Sequence, residues 1–182
     1  REPFLKLVQA NRMDQAINRY PTFKDLLTYC ENSANPVGHL VLYIFGFRDV
    51  ERQWLSDATC TALQLANFWQ DTRRDYAMGR SYIPQEDMTR FGCTEAELAQ
   101  SVAGNGFRRL MAFEVERTRK LFEQGLPLIK MVPGKLQLDL ALFTRGGLSV
   151  LDSIERQGYD VLKRRPTVGR APRSEPGCWR PP

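Results

Sequence analysis

From Leu63 to Pro84 the chain reads LQLANFWQDTRRDYAMGRSYIP, and within it Gln64, Asn67, Asp71 and Asp75 recur at steps of three and four. At roughly 100° per residue these four side chains fall within ~80° of helix circumference and share one face. Leu63, Leu65, Ala66, Phe68 and Trp69 make most of the remaining circumference apolar, which is the pattern of a buried helix. A polar stripe on a buried helix needs partners, so it is expected to face a cavity.

Asp71 and Asp75 stand at i and i+4, where side chains are neighbours and two like charges repel. A positive charge between them relieves that repulsion. Magnesium suits the pair, because it takes one or two carboxylates, keeps several waters and completes its octahedron with phosphate oxygens. Asn67, one turn earlier, adds a neutral oxygen. Arg73, Arg74 and Arg80 flank the acids with planar, permanently charged donors that match phosphate. A lone DxxxD is more often a solvated helix face; the apolar surround of this one points instead to a diphosphate site.

The other segments also read as helix. Pro3 opens a run with Phe4, Leu5, Val8, Met13 and Ile17 in approximate helical spacing, and Tyr20-Pro21 ends it. Thr22 with Asp25 resembles a capping box for a helix through Leu26, Tyr29 and Cys30. Pro36 interrupts that helix. Beyond it Val37, Leu40, Val41, Ile44 and Phe45 predict a core-facing stripe. The long helix is expected from about 53 to 78, stopped by Gly79, with further helices after Thr94, from Phe107 to Gln124 and from 135 to 157. No segment alternates like a strand, and no repeat has a solenoid period. The fold class is all-α.

Composition excludes several functions. The longest apolar run, 40 to 47, is far short of the ~20 residues that cross a bilayer. Cysteines at 30, 60, 93 and 178 have neither CxxC pairing nor zinc spacing and fit reduced, cytoplasmic thiols. His39 is the only histidine and reads as structural; a di-iron bundle needs two Glu-x-x-His motifs. The net charge of +5 invites a nucleic-acid reading. However, six basic residues and one acidic lie in 161–182, so the first 160 residues are neutral and nucleic acid is not an expected partner. Residues 166–182 hold five of the eleven prolines and are expected to form a disordered basic tail. Trp179 and its arginines offer a secondary reading, peripheral contact with anionic lipid on the inner face of a membrane.

The string Gln64-x-x-Asn67-x-x-x-Asp71-x-x-x-Asp75, followed by Gly79-Arg80-x-Tyr82-x-Pro84, resembles the second aspartate-rich motif of the squalene and phytoene synthases. Tyr29-Cys30-x-x-Ser33-Ala34-Asn35-Pro36-Val37-Gly38 resembles the family's other signature, and the likeness runs from about Phe4 to Arg165. It is greatest to the bacterial hydroxysqualene synthases of the hopanoid pathway. The resemblance implies an isoprenoid-synthase bundle, with residues 1–165 as the C-terminal portion of that domain. It implies metal ligation by Asp71, Asp75 and Asn67, with Mg2+ as cofactor and a prenyl or presqualene diphosphate as substrate. Tyr29 matches an active-site tyrosine. Gln64, Arg74, Arg80 and Tyr82 fall at the diphosphate site, and Ala34, Asn35, Val37, Gly38 and Val41 match positions lining the substrate pocket.

Three departures shape the functional expectation. The family's first aspartate-rich motif would lie upstream of Phe4, and the chain starts at Arg1 within a helical pattern, so it reads as an N-terminally truncated fragment, inactive and poorly folded alone. Ser33-Ala34-Asn35-Pro36 is more polar than the Val-Ala-Gly typical of the family and favours capture of a cation by water. Gly146-Gly147 replaces a wall tyrosine of many phytoene synthases, or else marks close helix packing. The reading is conversion of presqualene diphosphate to hydroxysqualene and diphosphate. Head-to-head condensation of two prenyl diphosphates and a non-catalytic helical module are the alternatives.

Overall fold

Asp49 and Gly79 bracket the helix on which the rest of the structure is built. In the computed structural model, which describes residues 1–168, the Asp49 carboxylate accepts from the Arg52 backbone N–H at 3.0 Å, and helix α4 (Val50–Ala77) then runs for 28 residues. Gly79 ends it with φ +83°, a left-handed conformation that costs glycine little. The helix therefore starts some three residues earlier than its apolar pattern suggests, since a side-chain cap rather than hydrophobic spacing sets its beginning.

Before it come α1 (Glu2–Ala16), α2 (Phe23–Ser33) and α3 (Asn35–Ile44); after it α5 (Gln85–Phe91), α6 (Glu95–Gln100), α7 (Asn105–Gly125), α8 (Pro127–Met131) and α9 (Gly134–Arg156). Among the described residues there is no strand. The capping boxes at Thr22–Asp25 and Thr94–Glu97 both form. Helix α4 packs against α2, α3, α6, α7, α8 and α9, and Leu65, Ala66 and Trp69 on it are fully enclosed. The Trp69 indole N–H donates to Thr118 Oγ1 on α7 at 2.8 Å, and that hydroxyl donates in turn to the Glu114 carbonyl at 2.8 Å. A buried tryptophan is thereby left with no orphaned donor.

Two apolar stripes face elsewhere than their spacing suggests. Phe4, Leu5 and Val8 on α1 are exposed, and α1 buries Pro3 and Ala10 instead. On α3 the residues turned to the core are Asn35, Gly38 and Leu42, while Val37, Ile44 and Phe45 stay exposed. Gly38 accounts for the rotation, because a Cβ there would run into Ser56 Oγ and Cys60 Sγ of α4. The absence of a side chain lets α3 lie close on α4 along that edge, and the aliphatic stripe is left beside the contact.

The two glycines of α9 separate cleanly. Gly147 is buried where a Cβ would collide with Phe122 and Leu63, whereas a Cβ on Gly146 would meet nothing within 4 Å among the described residues. Close helix packing explains the first and not the second. At the far end, Pro166 is buried and its carbonyl accepts from Gln70 Nε2 at 2.8 Å. The packed chain thus continues past Arg165, and of the expected tail residues 169–182 lie outside the described residues. His39 on α3 faces α4, its Nε2 lying 2.7 Å from Asp57 Oδ1.

Candidate active site

The acidic stripe of α4 is half-buried at Gln64, Asp71 and Asp75 and exposed at Asn67, so it opens to the surface rather than into an enclosed cavity. Burial pushes the Asp75 carboxyl up to about 6, and the Asp71 charge one turn away pushes it the same way, against Arg74 and Arg80. A carboxylate destabilised in this manner gains from a nearby cation. Asp71 already has one. Arg165, from the segment after α9, donates Nε to Asp71 Oδ1 at 2.6 Å and Nη2 to Asp71 Oδ2 at 3.0 Å, with a further bond to Gln70 Oε1 at 2.9 Å. Arg165, Asp71 and Arg74 border a groove of about 340 Å³.

Among the described residues no three Asp, Glu, His or Cys side chains converge. Two carboxylates with an exposed amide are nonetheless an adequate donor set for a hydrated magnesium ion that takes its remaining ligands from phosphate and water.

A second cluster lies past the C-terminal end of α4. The Arg80 backbone N–H donates to the Asp75 carbonyl at 2.9 Å, and its guanidinium crosses to α1, where Nη1 donates to Asp14 Oδ1 at 2.9 Å and Nη2 to the Asp14 carbonyl at 2.6 Å. The Tyr29 hydroxyl donates to the same Asp14 Oδ1 at 3.0 Å. Tyr82 lies 3.3 Å from Arg80 Nη1, and its ring stacks on Phe68 at a centroid separation of 3.7 Å. Burial, with Tyr82 and the Asp14 hydrogen bond adding to it, holds the Tyr29 phenol well above the ordinary tyrosine range. It is a protonated donor at any working pH.

A third region is apolar. Val37, Gly38 and Val41 of α3, Cys60 and Leu63 of α4, and Leu136, Leu140 and Phe143 of α9 line a cavity of about 540 Å³. Asn35 does not reach it, because its Oδ1 accepts from Thr61 Oγ1 at 2.9 Å on another face of α4. Ala34 is buried at the junction of α2 and α3 and is also absent from that lining. The structure thus gathers Tyr29, Arg80 and Tyr82 in one cluster and Val37, Gly38 and Val41 in the cavity, with Gln64, Asn67, Asp71, Asp75 and the exposed Arg74 along α4. Sequence reasoning missed Asp14 as a site residue and Arg165 as a partner of Asp71. Asp14 is one of two acids on a 15-residue helix, and Arg165 closes a short basic run in the segment after α9; neither carries a periodic signal.

Residues 1–171 match the family profile described as squalene/phytoene synthase. The chain belongs to the squalene/phytoene synthase family. It is 31% identical over 179 residues to the 15-cis-phytoene synthase of Synechococcus elongatus, covering 92% of this chain and 58% of that one. It is 32% identical over 164 residues to the hydroxysqualene synthase of Zymomonas mobilis, covering 88% and 54%. Among solved structures, squalene synthase HpnC from Alicyclobacillus acidocaldarius superimposes with a TM-score of 0.85 at 51% identity, over 87% of this chain and 60% of that one. A dehydrosqualene synthase superimposes with a TM-score of 0.81 at 27% identity, over 87% and 56%. The chain therefore spans little more than half the length of these relatives. The all-α isoprenoid-synthase fold expected from the sequence is the one observed, and no described helix is long and apolar enough to cross a membrane.

Proposed function

We propose that the protein of which this chain is part converts presqualene diphosphate to hydroxysqualene and inorganic diphosphate. The supporting observation is that α4 carries both halves of such a site: Leu63 lines the 540 Å³ apolar cavity, and Gln64, its neighbour in the chain, opens the acidic stripe. A hydrocarbon chain fits the first and a diphosphate with its counter-ions the second. Likeness to a named hydroxysqualene synthase and to squalene synthase HpnC favours this substrate.

In this reading Asp71, Asp75 and Asn67 would hold Mg2+, which when bound would supply positive charge for the diphosphate leaving group. Arg74 and Arg80 add guanidinium donors, that of Arg80 held in place by Asp14; their stabilisation is greatest as negative charge develops on the leaving oxygens. The α3, α4 and α9 walls give the carbocation an apolar surround, and one water adds to it and loses a proton. Within the polar Ser33 to Pro36 segment, Asn35 Oδ1 is engaged by Thr61, while the buried Ser33 hydroxyl has no hydrogen-bond partner among the described residues.

The alternative, head-to-head condensation of two prenyl diphosphates, is favoured by 31% identity to a 15-cis-phytoene synthase. Product analysis of the full-length protein with presqualene diphosphate, farnesyl diphosphate and geranylgeranyl diphosphate, each with and without magnesium, tests the choice. Hydroxysqualene from presqualene diphosphate is the expected result; phytoene or squalene as the sole product overturns it. Peripheral membrane contact through the basic tail is part of the same proposal, and vesicle sedimentation with and without residues 169–182 tests it.

A further inference from the structure

We propose that Asp14 is a positioning residue of this site, whose carboxylate locks the Tyr29 hydroxyl and the Arg80 guanidinium into one fixed arrangement without itself touching substrate. The inference rests on the proposed function for the roles of Tyr29 and Arg80, and on the hydrogen bonds to Asp14 for their connection. One oxygen, Asp14 Oδ1, accepts from Tyr29 at 3.0 Å and from Arg80 Nη1 at 2.9 Å, residues 15 and 66 positions away. Three separate elements, α1, α2 and the segment after α4, meet at that atom.

The donor inventory of Arg80 shows what the arrangement leaves available. A guanidinium has five N–H donors. Asp14 Oδ1, the Asp14 carbonyl and the Tyr82 hydroxyl take three of them, which leaves Nε–H and the second Nη2–H for an anionic oxygen. Because the Arg80 backbone N–H is also fixed to the Asp75 carbonyl at 2.9 Å, the residue is anchored at its main chain and at its guanidinium, and those two donors are presented close to Asp75. Tyr29 is held likewise. Its proton is committed to Asp14, so its oxygen lone pairs turn away from α1, and its ring is wedged among Tyr20, Phe68 and Tyr82 at centroid separations of 5.8, 6.1 and 5.9 Å. Groups whose geometry is fixed before reaction need no reorganisation during it.

Asp14→Asn is nearly isosteric and removes the charge that both donors address. In the full-length protein it is expected to lower kcat by about 10- to 100-fold with KM for the diphosphate substrate changed by less than about threefold, while the thermal midpoint moves only a few degrees. On a Tyr29→Phe background the same substitution is expected to cost at least about threefold less than on the wild type, since one of the two groups it positions is already gone and only Arg80 remains to be released. A kcat within twofold of wild type, or a full multiplicative loss on the Tyr29→Phe background, overturns the proposal. The guanidinium 15N resonances of Arg80 provide a readout without turnover: restricted and separately resolved in the wild type, they are expected to exchange measurably faster in Asp14→Asn, where the charged acceptor is gone and the Asp14 carbonyl and Tyr82 remain. If the wild-type protein turns over no prenyl diphosphate, the functional reading fails, and unchanged Arg80 resonances would independently remove the positioning role.

Discussion

Arg165 and Asp71, 94 positions apart in the chain, form a two-point ion pair at 2.6 and 3.0 Å on the rim of the acidic stripe. Bidentate arginine–carboxylate pairs combine charge with directional hydrogen bonds, so Arg165 occupies the oxygens that a cation on Asp71 would use. Arg165→Ala is therefore expected to raise the affinity of the diphosphate-free protein for Mg2+ by about threefold, the worth of a partly exposed pair. Isothermal titration with magnesium checks this, and weaker binding in the variant would show that Arg165 does not compete for Asp71.

Asp75→Asn and Asp71→Asn each remove a charge from the stripe without altering the helix. Both are expected to lower turnover of the full-length protein by at least about 100-fold and to weaken its magnesium dependence. Steady-state rates at varied magnesium decide it. Wild-type behaviour in both variants would mean that the stripe is a solvated face.

Glu114 introduces a pH dependence of stability. It is wholly buried on α7, neither carboxyl oxygen has a hydrogen-bond partner among the described residues, and Arg117 Nη1 lies 3.4 Å from it. Burial pushes its carboxyl up to about 8, partly opposed by Arg117 and reinforced by Asp87. A carboxyl whose folded value lies above its unfolded value binds more protons in the native state, so its contribution is fully present below about pH 4.5 and is lost as pH rises through about 8. The loss is on the order of a few kcal/mol. Urea unfolding at pH 5 and pH 8.5 should show the wild type losing stability relative to Glu114→Gln at the higher pH. Parallel behaviour of the two proteins would count against a buried, protonated Glu114.

Gly146 and Gly147 should respond in opposite senses. Open space around Gly146 leaves only the helix-propensity gain for Gly146→Ala, up to about 1 kcal/mol of stabilisation. Gly147→Ala forces Phe122 and Leu63 to move and is expected to destabilise by about 1–3 kcal/mol. Thermal melts of the two variants test the pair, and equal shifts would contradict the close approach of α9 to α4.

Thr118→Val removes the acceptor of the Trp69 indole while keeping the shape of the side chain. An unsatisfied buried N–H costs about 1–3 kcal/mol, and the indole fluorescence should change together with stability. A neutral substitution would indicate another partner for Trp69.

Patterns confined to one segment were readable from the sequence alone. The face shared by Gln64, Asn67, Asp71 and Asp75, the capping boxes at Thr22 and Thr94, the stop at Gly79 and the all-α class all follow from helix geometry within a few residues. Family membership was readable for the same reason, since its signatures are contiguous strings. Tertiary structure decided which side of each helix was covered. Phe4, Leu5 and Val8 had the spacing of a buried stripe and lie exposed, and the α3 stripe lost the core contact to Gly38, because which face is buried depends on where the neighbouring helices lie and not on the face's own periodicity. Tertiary structure alone also brought Asp14 to Tyr29 and Arg80, and Arg165 to Asp71. These partners are drawn together across 15 to 94 residues by the packing of helices whose local sequences carry no mark of the meeting.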